Sequence, residues 1–129
     1  MFAETTSKVY TLTESVMNEV AATLILPETG GILGCESNNV VNHFHHDATG
    51  TSTKKIYVPD IIALNKVIAD WYTQGIKFVG FIHSHSAGKK FLSRLDIKYA
   101  QKIKSYCAMS EVLMAIYLPA DKTFHQYCI

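Results

Sequence analysis

The period of apolar and polar positions changes several times along the chain, and each change marks an element. Residues 8 to 12, Lys-Val-Tyr-Thr-Leu, alternate polar and apolar and predict a short strand. Thr13 offers an N-cap. Val16, Met17, Val20, Ala21 and Leu24 then recur at helical spacing, so an amphipathic helix is expected over roughly 14 to 26, stopped by Pro27. Gly30 to Glu36 predicts a strand weakened by glycines, which often means that another backbone or a substrate approaches closely. Asn38-Asn39 suits a turn, Val40 to His46 the returning strand, and Asp47 to Thr53 a flexible loop where a substrate-contacting insertion would sit.

Ile56 to Val58 predicts a short strand, and Pro59-Asp60 opens a second helix. Leu64, Val67, Ile68, Trp71 and Tyr72 fit the i, i+3, i+4, i+7, i+8 template, and Gly75 closes the helix. The apolar run from Lys77 to Ile82 predicts a buried strand ending in His83-Ser84-His85, followed by a loop to Leu92. A third helix is expected from Ser93 to about Cys107, with Leu95, Tyr99, Ile103, Tyr106 and Cys107 as its buried stripe. Arg94, Lys98 and Lys102 form a basic stripe on another face, which reads more readily as solvated than as a docking patch. Glu111 to Leu118 and Thr123 to Cys128 predict two last strands around a turn at Pro119 to Lys122. The order β-α-β-β-α-β-α-β-β implies a mixed sheet with helices packed on it, α/β in the broad sense and closer to α+β than to a doubly wound fold.

The histidines carry the chemistry. Residues i and i+2 of a strand share a face, so His83 and His85 can aim at one point. Asp96, near the start of the third helix, can swing its carboxylate back towards them. Two imidazoles and a carboxylate from separate elements, with a fourth position open, are how a catalytic zinc is held. Ser93-Arg94-Leu95-Asp96 is also a capping box, a reading compatible with ligation. His43, His45 and His46 form a second cluster with no acidic or cysteine partner at set spacing, and a polar strand face is the preferred reading there.

His-Ser-His, seven residues, Ser93, two residues, Asp96 resembles the signature of the JAMM (MPN-plus) metalloproteases. That family also carries a glutamate before a Gly-rich strand, matched here by Glu28 in Glu28-Thr29-Gly30-Gly31-Ile32-Leu33-Gly34. The similarity runs from about Glu28 to the end of the chain. It departs at Ser86 and Leu92, where many members have proline, and neither position is a ligand. The resemblance implies a curved mixed β-sheet flanked by helices, the JAMM/MPN-like (cytidine-deaminase-like) fold. It implies Zn²⁺ on His83, His85 and Asp96, holding a water whose pKa falls from about 15.7 to about 7. Glu28 is then the proton carrier and Ser93 the donor to the developing oxyanion. The implied activity is hydrolysis of a peptide or isopeptide bond after the C-terminal glycines of a ubiquitin-like or sulfur-carrier protein. The tail would add as a strand beside the site. A non-catalytic MPN-type scaffold is the alternative from another class, though such modules usually lack the ligands. A hydrolase linked to DNA repair, like the RadC-type domains, has only the basic stripe in its favour.

Composition changes little in this picture. At 129 residues the chain is expected to form one domain with a substantial core, and a formal net charge of +1 gives no global field for nucleic acid or a membrane surface. Three cysteines, Cys35, Cys107 and Cys128, at irregular spacing suggest reduced thiols and a cytoplasmic location. The N-terminal residues lack signal-peptide character, and no uncharged apolar run approaches membrane-spanning length.

Overall fold

The computed structural model describes residues 10–24, 28–52 and 57–129. The elements in chain order are β1 (Thr11–Leu12), α1 (Glu14–Thr23), β2 (Gly30–Ser37), β3 (Val40–His46), β4 (Thr51–Ser52), β5 (Tyr57–Val58), α2 (Ile61–Thr73), β6 (Lys77–Ser84), α3 (Arg94–Tyr106), β7 (Leu113–Leu118) and β8 (Thr123–Cys128). The expected start of the first strand at 8 and 9, the last turn of the first helix with Pro27, and residues 53 and 56 lie outside the described residues. The expected loop after β3 holds a small element of its own, since β4 pairs with β5 in a separate two-stranded sheet.

Six strands form the main sheet in the order β1-β3-β2-β6-β7-β8. It is mixed: β2 is antiparallel to both β3 and β6, β6 is parallel to β7, and β7 is antiparallel to β8. A parallel pair needs a long crossover, and α3 supplies it between β6 and β7. Among the described residues the three helices all start on side-chain caps. Thr13 accepts the Val16 N–H at 3.1 Å, Asp60 accepts the Ala63 N–H at 3.1 Å, and Ser93 forms a reciprocal capping box with Asp96.

Two apolar clusters sandwich the sheet. One takes Val16, Val20 and Leu24 of the α1 region; the other takes Leu64 and Trp71 of α2 and Ala100 of α3. β7 alternates between them, with Leu113, Ala115 and Tyr117 in the first and Met114, Ile116 and Leu118 in the second. Fully burying each Leu, Ile or Val of this kind contributes about 1.5–3 kcal/mol relative to exposure. Both faces of β6 are covered, and every residue of it after Lys77 is buried.

The helical stripes read from spacing need correction in two places. Tyr72, at the end of α2, is 83% exposed. In α3, Leu95, Tyr106 and Cys107 are also exposed, while Ala100 is fully buried and Ile97, Tyr99 and Ile103 pack partly against the core. The face α3 turns to the core is centred on its smallest apolar residue. The larger side chains half a turn away are left at the surface.

Candidate metal centre

The register of β6 sets where its histidines point. Leu33 of β2 pairs with Gly80 but Gly34 pairs with Phe78, so Val79 is an extra residue in β6. A bulge of this kind shifts the alternation of the strand beyond it. Phe81 therefore joins the α2/α3 cluster and Ile82 the α1 cluster. His83 follows Phe81 towards α3 and the pocket there, while Ser84 turns the opposite way and is fully buried.

His83 and His85 are 3% and 5% exposed, and their Nε2 atoms face each other at 2.8 Å. Asp96 spans them, with Oδ1 at 3.3 Å from His83 Nε2 and Oδ2 at 3.4 Å from His85 Nε2. Glu28, 8% exposed, completes the cluster: donor atoms of Glu28, His83 and His85 all lie within 4.8 Å of one another. This buried Glu/His/His group is close enough to bind a metal ion. Nitrogen and oxygen donors on a tetrahedral ion with bonds of about 2.0–2.2 Å lie about 3.3–3.6 Å apart. Asp96 reaches the two histidines through different oxygens, Oδ1 to His83 and Oδ2 to His85, and lies outside the Glu28/His83/His85 group; the two imidazole nitrogens, 2.8 Å apart, would have to separate to reach that spacing.

Hydrogen bonds outside the cluster orient its members. His85 Nδ1 lies 2.8 Å from the Lys89 carbonyl oxygen, which can only accept. That contact favours a proton on Nδ1, so that on metal binding Nε2 would be free to turn its lone pair to the centre. The capping box holds Asp96: Ser93 N–H donates to Oδ2 at 2.9 Å, and Asp96 N–H donates to Ser93 Oγ at 3.0 Å. The Ser93 hydroxyl keeps its own proton for another acceptor. Ser84 fixes the backbone beside Glu28, since its Oγ accepts the Thr29 N–H at 3.1 Å and its N–H donates to the Thr29 carbonyl at 2.9 Å.

The two carboxyl groups are pushed apart in proton affinity. Burial alone would raise the Asp96 pKa, but hydrogen bonds and charge from His83 and His85, with the Ser93 N–H, hold it well below the usual carboxylate range. Glu28 goes the other way: burial raises its pKa more than the histidines lower it. Burial pulls the His85 pKa down, but Asp96, the Lys89 carbonyl and Glu28 outweigh it, and the net shift is upward. A permanently charged Asp96 is suited to ligation and a proton-accepting Glu28 to acid–base work.

An open pocket of about 250 Å³ lies against the cluster. Its lining includes Glu28, His83, Ser93 and Asp96, together with Lys98 and Lys102 from the basic stripe of α3. Tyr57 also lines it. No spacing in the sequence singled out this residue, because what places it is contact with partners distant in the chain. The second histidine cluster is arranged differently. His43 is paired with the Glu36 carboxylate and lies 6.0 Å from the Trp71 ring, and among the described residues Glu28, His83 and His85 form the one group of three or more potential ligands.

No family model matches the chain, and no curated protein matches it. Among solved structures it is similar to the solution structure of protein DSY2949 from Desulfitobacterium hafniense, a Northeast Structural Genomics Consortium target. That likeness has a TM-score of 0.67 at 19% identity, and covers 93% of this chain and 82% of that one. It establishes a shared fold. Among the described residues no helix is long and apolar enough to cross a membrane.

Proposed function

We propose that the chain is a zinc-dependent metallopeptidase of the JAMM (MPN-plus) type. Its substrate is the amide bond after the C-terminal glycine tail of a ubiquitin-like or sulfur-carrier protein. The observation that carries this reading is the convergence of His83, His85 and Asp96 with the buried Glu28 beside them. His83, His85 and Asp96 are the zinc ligands, and the mixed sheet is of the curved JAMM kind. Bound zinc supplies a Lewis acid and an acidified water as the nucleophile.

The residues around the ion do the rest. Glu28, its pKa raised by burial, takes a proton from the attacking water and passes it to the leaving amine. The Ser93 hydroxyl, on the pocket wall, donates to the carbonyl oxygen as negative charge develops there. Asp96 stays ionised and offsets the cationic character of the site. A cytoplasmic location suits three cysteines with no disulfide among them.

The test is cleavage of candidate ubiquitin-like and sulfur-carrier fusions, with and without a chelator, beside elemental analysis. Chelator-sensitive cleavage with about one zinc per chain supports the proposal. Bound zinc without cleavage of any fusion would overturn the substrate, and a chain that takes up no metal would favour the scaffold reading.

A further inference from the structure

The ring of Tyr57 lies over His83 in an offset stack, with centroids 6.3 Å apart and planes inclined by 28°. The phenol is anchored on its far side, donating to Asp47 Oδ2 at 2.7 Å. The same oxygen accepts the Asp60 N–H at 2.9 Å, so one buried carboxylate holds both Tyr57 and the N-cap residue of α2. Thr49 adds a further tie, donating to Asp60 Oδ2 at 2.7 Å.

Two glycines leave the slot that the ring fills. A Cβ on Gly30 would stand 2.4 Å from Tyr57 Cε2, and a Cβ on Gly50 would stand 2.8 Å from Tyr57 Cε1. Gly30 is the strand partner of His83, and its carbonyl accepts the Asp47 N–H at 2.9 Å. The contacts close a circuit: His83 pairs with Gly30, Gly30 binds Asp47, Asp47 holds Tyr57, and Tyr57 covers His83. His85 is turned towards the centre by the Lys89 carbonyl; for His83 the corresponding support is the face of Tyr57.

We propose that Tyr57 is a positioning residue of the metal centre: anchored by Asp47 in the slot between Gly30 and Gly50, it sets the plane of the His83 imidazole. The proposal rests on the metal-site reading above. It assigns Tyr57 no contact with the reacting atoms. Groups that orient a metal ligand contribute about 10–100-fold to metal affinity or activity.

The experiment compares full-length wild type with Tyr57→Leu, Tyr57→Phe and Asp47→Asn. It reads zinc affinity by chelator competition, the visible spectrum of the Co²⁺-substituted protein, and the NMR shifts of the His83 ring protons without metal. Tyr57→Leu should bind zinc about 10–100-fold more weakly, change the Co²⁺ spectrum and lose the ring-current shift at His83. Tyr57→Phe keeps the ring and should restore most of the affinity. Asp47→Asn should fall between them. A folded Tyr57→Leu protein with wild-type affinity and spectrum overturns the proposal. If Tyr57→Leu does not fold, His83 shifts and zinc affinity unchanged in Asp47→Asn overturn it instead. A wild-type protein that binds no metal removes the reading beneath, and the His83 shifts then decide the Tyr57 contact alone.

Discussion

Ser84 and Thr29, 55 residues apart, are bound to each other through both backbone and side chain. Ser84 N–H donates to the Thr29 carbonyl at 2.9 Å, Thr29 N–H donates to Ser84 Oγ at 3.1 Å, and Ser84 Oγ–H points to the same carbonyl at 3.4 Å. The middle residue of His-Ser-His thereby fixes the backbone that carries Glu28, while its neighbours on either side face the Asp96 carboxylate. Ser84→Ala removes the acceptor of the Thr29 N–H, a loss of about 1–3 kcal/mol for a buried group. Turnover is expected to fall at least about tenfold through a less well placed Glu28, with zinc content unchanged. Wild-type turnover in a folded Ser84→Ala protein would show that this tether plays no part.

Glu28→Gln keeps size and hydrogen-bonding shape but loses the basic carboxylate. Turnover should drop about 10²–10⁴-fold with zinc still bound. The same change should stabilise the metal-free protein at neutral pH. Burial raises the folded pKa of Glu28, so its ionised form costs stability. That cost is absent below the unfolded value of about 4.3 and grows as pH rises through and above it. Urea unfolding at pH 7 and at pH 3.5 checks the sign. A variant less stable than wild type at pH 7 would show that the carboxylate is held by favourable contacts instead.

With His83, His85 and Asp96 as the proposed ligands, His85→Ala and Asp96→Ala should each lose most of the bound zinc; zinc lost in His85→Ala but kept in Asp96→Ala would point to Glu28, His83 and His85 as the ligands instead. The triple substitution of His43, His45 and His46 by alanine should keep the zinc, since His43 is engaged with Glu36 away from the centre. Elemental analysis of the three preparations checks both expectations. Full occupancy in His85→Ala and Asp96→Ala would remove these residues from the ligand set.

Ser93 has two roles that different substitutions separate. As N-cap of α3 its loss in Ser93→Ala should cost about 1 kcal/mol, and as oxyanion donor it should cost turnover about 10²–10³-fold. Ser93→Thr keeps a capping hydroxyl and should recover the stability. Thermal unfolding measured beside turnover distinguishes them. A Ser93→Ala protein whose turnover falls no further than its stability explains would leave Ser93 as a cap alone.

Much of the site was legible because its parts are local. The caps at Thr13 and Ser93 are short-range hydrogen-bond patterns, the start of α2 at Pro59-Asp60 is a local signal too, and the shared face of His83 and His85 follows from strand parity. What escaped depends on contacts across the sheet. The bulge at Val79, which decides the cluster His83 sides with, is a mismatch between two strands and leaves no mark in either. The slot for Tyr57 needs Gly30 and Gly50 to meet around it. The face of α3 was misjudged because periodicity weighs large apolar side chains, whereas the helix packs on Ala100. Leu95, assigned to the core, instead lines the pocket.

β6 lies in the interior of the sheet, hydrogen-bonded on both edges and covered on both faces. Amide protons in such a strand exchange with solvent only when the whole molecule opens. β4 and β5 have two residues each and pair only with one another, so their amides should exchange by local opening many times faster. On this expectation the backbone of the β4–β5 ribbon opens locally while the Tyr57 side chain stays tied to Asp47, and β6 opens only with the whole molecule. In a deuterium-exchange experiment the amides of Ile82 and His83 would be among the last to label and those of Tyr57 and Val58 among the first. Any motion that admits or releases a bound chain then belongs to that ribbon, while the ligand-bearing strand serves as its fixed reference.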